Sequence, residues 1–149
     1  MYKCILLAFV AASSCGSPKT TTEDVSEENT EISTPIQEGN ITLALDEKIK
    51  VGDLQIHFKE VLEDSRCPTG TNCIWQGRIR LLVETSEDGM TVDKNEIIFG
   101  KLKNGEVANR MFYKSGKITI TATSINPYPT KEIGTAHLAY KLALRIGQE

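Results

Sequence analysis

Four cysteines, at positions 4, 15, 67 and 73, are the side chains of this 149-residue chain with the most chemistry to offer. Cys67 and Cys73 sit in the run Glu63-Asp64-Ser65-Arg66-Cys67-Pro68-Thr69-Gly70-Thr71-Asn72-Cys73-Ile74-Trp75-Gln76-Gly77. The Pro and Gly between them let the chain turn back, so in an oxidising compartment a disulfide across a loop is expected. Loop-closure entropy assigns such a seven-residue ring about 2 to 2.5 kcal/mol. A dithiol oxidoreductase would instead space its cysteines as Cys-X-X-Cys near a helix N-terminus, which lowers the thiol pKa, and neither feature is present. A metal site would need more ligands. His57 and His137 are expected singly on outward positions of different strands, so no metal and no cofactor are expected.

Four further residues near this run or downstream are candidates for a binding surface together with Arg66. Thr69 and Thr71 lie within the ring, and Trp75, the only tryptophan, follows it by two residues. Trp75 is either a ligand platform or a packing partner of the sulfurs, and alternation with Ile79, Leu81 and Val83 favours packing. Arg66, with Glu63 and Asp64 beside it, is either a recognition cluster or an ion pair fixing the loop, the second being the plainer reading. Tyr128, between Pro127 and Pro129, fits a recognition tip and an aromatic cap on the core equally well. Catalysis finds no foothold. There is no nucleophile elbow, no phosphate-cradling glycine loop and no histidine in a candidate triad, so an enzyme is not expected.

Cys15 belongs to a different chemistry. Lys3, the apolar run Ile5 to Ala12, and then Ser13, Ser14 and Cys15 read as an export signal too short to span a hydrocarbon core. Ala12-Ser13-Ser14-Cys15, followed by Gly16 and Ser17, resembles a lipobox, although Ala12 stands where Leu is usual. The resemblance implies a diacylglyceryl group on Cys15 and cleavage before it, which removes residues 1–14. Parity agrees: Cys4 leaves with the signal, Cys15 is modified, and Cys67 and Cys73 remain as a pair. Ordinary secretion, with cleavage upstream of Cys15, is the rival and leaves an odd thiol.

The elements that must position these residues divide in two. Residues 16–40 hold six acids, Glu23, Asp24, Glu27, Glu28, Glu31 and Glu38, against Lys19 alone, a net −5. Rich in Ser and Thr and poor in large apolar residues, residues 15–40 read as a lipidated cysteine followed by a disordered tether. The remainder, 41–149, is near charge balance and carries no nucleic-acid signature. Its period is two. Leu54-Gln55-Ile56-His57-Phe58-Lys59 alternates apolar with polar, and the final run alternates from Ala136 to Ile146. Asp88-Gly89, Asn104-Gly105 and Ser115-Gly116 mark turns. They predict a meander of strands over 74–86, 90–101, 106–113 and 117–126, within a single antiparallel β-sandwich or barrel of seven or eight strands. Asn126-Pro127-Tyr128-Pro129 must be a loop.

The stretch Asp64 to Pro68, Cys73 to Trp75 and Gly77, with Pro127-Tyr128-Pro129 and the final strand, resembles a family of small bacterial exported proteins and lipoproteins. Gln76 stands where those sequences more often have Ala. The resemblance spans about residues 41–147 and implies an envelope address and a β fold, with no activity to transfer. The expected protein is therefore an envelope lipoprotein held to a membrane by its N-terminal lipid, in a Gram-negative cell the outer membrane. Its domain would bind an envelope protein or small ligand, inhibit an external hydrolase, or serve a structural role in the envelope.

Overall fold

The computed structural model describes residues 38–148 apart from Asp88 and Lys117, and in it eight antiparallel strands form two four-stranded sheets with no helix among the described residues. The strands are β1 (Gly39–Ala44), β2 (Lys48–Val51), β3 (Leu54–Asp64), β4 (Arg78–Glu87), β5 (Met90–Gly100), β6 (Met111–Ser115), β7 (Ile118–Asn126) and β8 (Lys141–Gln148). One sheet runs β2-β3-β4-β5 and the other β1-β8-β7-β6. They are not closed into a barrel, so of the two all-β architectures expected, the sandwich is the one formed. Cys15 and the rest of residues 1–37 lie outside the described residues.

The core follows from alternation. Leu54, Ile56 and Phe58 of β3, and Ile79, Leu81 and Val83 of β4, turn one face inward. Leu142, Leu144 and Ile146 of β8 and Ile120 and Ala122 of β7 face them from the other sheet. Each large aliphatic side chain so buried contributes roughly 1.5 to 3 kcal/mol. Strict alternation beyond Phe58 would send Glu60 and Leu62 inward. Register shifts between Phe58 and Glu60 and between Val61 and Glu63 prevent this. Val61 packs against the core instead, and the two shifts add to two residues, which restores the original phase and brings Asp64 opposite the fully buried Ile79.

Three expectations about the strands need correction. β4 begins at Arg78, not at residue 74, because Gly77 takes a φ of 70° and breaks the extended run. The meander ends at β5, because β5 and β6 belong to different sheets and Asn104-Gly105 opens a crossing loop, not a hairpin. That loop is held at both sheets, the Ile98 amide donating to the Ala108 carbonyl and the Ala122 amide to the Arg110 carbonyl. The last strand starts at Lys141, since His137 has a φ of 60° and leaves the ladder, although Leu138 and Tyr140 still reach the core. His57 is also not outward and solvated. It is buried between Asp46, 2.8 Å from its Nε2, and Glu84, 3.5 Å from its Nδ1.

The strand directions put both ends of the domain at one pole. Gly39 pairs with Ile146, and the Gln148 amide donates to the Glu38 carboxylate at 3.1 Å. The β6–β7 turn lies at the same pole, where Ile118 pairs with Gln148, and β4 meets β5 there through Glu87 and Met90. The opposite pole holds Asp64, Arg78, Gly100 and Asn126, about 30 Å away along β4.

Candidate functional site

The Cys67–Cys73 segment occupies this second pole, and hydrogen bonds tie it down before any question of function arises. Beyond β3 the Ser65 amide donates to the Arg78 carbonyl and the Cys67 amide to the Gln76 carbonyl. The disulfide is present, with Cα atoms 6.0 Å apart. Thr71 stands inside the ring, its hydroxyl donating to the Pro68 carbonyl at 2.6 Å and lying 3.3 and 3.4 Å from the two sulfurs. Thr69 anchors the ring outward. Its amide donates to the Pro129 carbonyl, and its own carbonyl accepts from the Lys131 amide.

Arg66 is a structural residue here. Its side chain is 6% exposed and grips the 5%-exposed Asp64 with two nitrogens, at 2.8 and 2.6 Å. Nη2 also donates to the Pro127 carbonyl, and the guanidinium lies 5.0 Å from the centre of the Tyr128 ring. Asp64 in turn accepts from the Tyr140 hydroxyl at 2.9 Å. Burial, together with this negative partner, pushes the Tyr140 hydroxyl up to about 12. The Arg66 guanidinium is thus held by Asp64 and pins the loop after β7 through the Pro127 carbonyl, while Arg66 also lines a small depression beside Tyr128. Tyr128 remains 45% exposed.

Trp75 reverses the expectation placed on it. Far from packing on the apolar face, it is 70% exposed, and Ile74 beside it is 90% exposed. The alternation that assigned Trp75 inward was counted through Gly77, whose positive φ ends the phase. Gly77 is required for another reason: a Cβ there would meet the Ser65 carbonyl oxygen at 1.7 Å. The close approach of 65–67 to 76–78 exists only because position 77 has no side chain.

Trp75 stands on an open groove of about 870 Å³ between residues 74–77 and the start of the crossing loop at 101–104. The ammonium of Lys101 lies 5.4 Å from the indole centre. On the sheet side the groove meets an ion-pair cluster. The buried Arg78 guanidinium bonds Glu63 at 2.8 Å and also Glu106. Arg80 adds a bond to Glu96 at 2.6 Å. The Arg78 hydrogen bonds hold the Glu63 carboxyl down to about 2. Glu106 is lowered mainly by the Lys103 amide that donates to it, and further by Arg78. A smaller depression of about 280 Å³ lies against Tyr128, Phe99 and Ile125, and Gln76, Gly77 and Lys101 border both.

The structure therefore brings Cys67, Cys73, Thr69, Thr71, Trp75 and Tyr128 to one pole, but not to one pocket. Lys101, Lys103 and Asn104 were missed by sequence reasoning. Their only signal was a Lys-Leu-Lys-Asn run that reads as an ordinary polar turn. No family model, curated protein or solved structure matches the chain.

Proposed function

We propose that this chain is a bacterial envelope lipoprotein, anchored through Cys15, whose β-sandwich recognises a partner or ligand with the pole that carries the disulfide loop. The observation that carries the reading is an indole 70% exposed over a groove, at the pole opposite Gly39, where the chain leads back toward Cys15. Burial of so large an apolar ring is normally favoured, so one held in water at a groove is a recognition candidate. Its position is preorganised by the disulfide on one side and Gly77 on the other, which lowers the ordering cost of binding. The resemblance of the Asp64 to Gly77 motif to exported bacterial proteins supports the address.

Capture from envelope extracts by the full chain, compared with Trp75→Ala and with Arg145→Gln, exposed on β8 toward the opposite pole, as a surface control, tests the reading. Loss of a captured partner with Trp75→Ala alone is expected, and equal capture by all three would overturn it. Intact-mass analysis of the native protein tests the anchor: a diacylglyceryl-modified chain beginning at Cys15 is expected, and an unmodified mature chain would refute it.

One observation favours a second reading, inhibition of an external hydrolase. The ring is fastened to the loop after β7 through Thr69, so its exposed neighbour Ile74 projects from a rigid base. A panel of proteases and lysozymes retaining full activity at excess protein would exclude it for those enzymes.

A further inference from the structure

We infer that the groove beside Trp75 binds an acidic saccharide, a sugar ring stacking on the indole while its carboxylate pairs with Lys101 and Lys103. The inference rests on the recognition reading above and names the ligand class for that same site.

Shape is the first reason. A volume of about 870 Å³ lies within the roughly 300–1,000 Å³ of small-ligand sites, and the groove is open to solvent, so a ligand larger than one ring can extend out of it. A lipid surface would call for a convex apolar tip, whereas this site is concave and its walls are mixed. The amide side chains of Gln76 and Asn104 line it, and each can both donate and accept, as sugar hydroxyls do. The indole supplies the flat apolar face against which a ring's C–H face packs.

Charge is the second. Arg78 bonds both Glu63 and Glu106 and so offsets one of these two carboxylates, leaving one negative charge against the two lysines. Lys101 and Lys103, both exposed, then set the sign of the potential at the rim, and that sign is positive. The Lys101 ammonium, 5.4 Å from the indole centre, covers one face of Trp75, and a ring stacked on the other face has its carboxylate within reach of that ammonium past the indole edge.

Trp75 is the only tryptophan, so its emission reports the groove alone. The full chain would be titrated with trigalacturonate, with the disaccharide of N-acetylglucosamine and N-acetylmuramic acid, with uncharged maltotriose and with a glutamate tripeptide. A saturable change with at least one of the two acidic saccharides is expected, and which one responds identifies the source. Lys101→Gln combined with Lys103→Gln is expected to weaken it about tenfold. Arg145→Gln should leave it unchanged. Trp75→Ala should abolish the heat of binding in calorimetry with its circular dichroism intact. No saturable change with either acidic saccharide, or an equal response to maltotriose or to the glutamate peptide, would overturn the inference. If the saccharides fail while capture still depends on Trp75, the recognition reading survives and only the ligand class falls.

Discussion

Asp64 and Arg66 hold each other's charge where water scarcely reaches, which makes the pair sensitive to loss of one member. Arg66→Ala would leave a buried carboxylate with the Tyr140 hydroxyl and the residue-66 amide but no cation, and a loss of about 3 to 5 kcal/mol in urea unfolding is expected. Trp75→Ala should change stability by less than about 0.5 kcal/mol, because the indole is mostly in water. Ile79→Ala, at a fully buried inner-face position of β4, should cost about 2 to 5 kcal/mol. The same unfolding assay separates Trp75→Ala from the other two. Titration adds a test at this scale. Glu63 is held from its ordinary 4.5 down to about 2, so its contribution is present above pH 4.5 and disappears as pH falls toward 2. Tyr140 is raised from 10.0 to about 12, so its contribution is present below pH 10 and is lost as pH rises toward 12. Glu63→Gln should flatten the acid limb of stability against pH, and Tyr140→Phe the alkaline limb. An unchanged limb in either variant would contradict the assigned pairing.

At the scale of elements, Gly77 and Gly105 make a paired experiment. Both have positive φ, 70° and 85°, but a Cβ at 105 meets nothing within 4 Å, whereas one at 77 collides with the Ser65 backbone. Gly105→Ala should therefore cost only the conformational penalty of about 1 to 2 kcal/mol. Gly77→Ala should cost more than about 4 kcal/mol and separate the 65–67 segment from 76–78, seen as faster exchange of the Ser65 and Cys67 amides. The disulfide contributes on a smaller scale. Replacing both Cys67 and Cys73 by Ser should lower stability by about 2 kcal/mol, since the ring it closes is short. These figures explain why the motif from Asp64 to Gly77 is a unit: Asp64 and Arg66 plug the core, Cys67 and Cys73 close the ring, and Gly77 admits the return strand.

The whole molecule has a direction. Gly39 and Gln148 lie at one pole and Trp75 at the other, so a bulky fusion after Gln148 should leave ligand-dependent Trp75 emission unchanged. A fusion inserted between Asn104 and Gly105, on the groove wall, should abolish it. A C-terminal fusion that weakened binding would contradict the polarity of the sandwich.

The period-two runs, the Gly-containing turns and the breaking prolines by themselves determined an all-β sandwich or barrel, a loop at 127–129 and the pairing of Cys67 with Cys73, because these depend on neighbours within a few residues, although Asn126, expected in that loop, closes β7. Tertiary structure decided the rest. Alternation carries a side chain's direction only while the backbone stays extended, so the positive φ at Gly77 erased the phase that had sent Trp75 inward, and the two register shifts in β3 turned Glu60 and Leu62 outward. The partition of β5 and β6 between two sheets was equally invisible, since a turn signal does not tell whether the chain returns to its own sheet. Trp75, already a candidate in the sequence, gained a groove with Lys101 and Lys103 as neighbours only when residues 74–77 and 101–104, distant in sequence, were brought together by the pairing of Arg78 with Gly100.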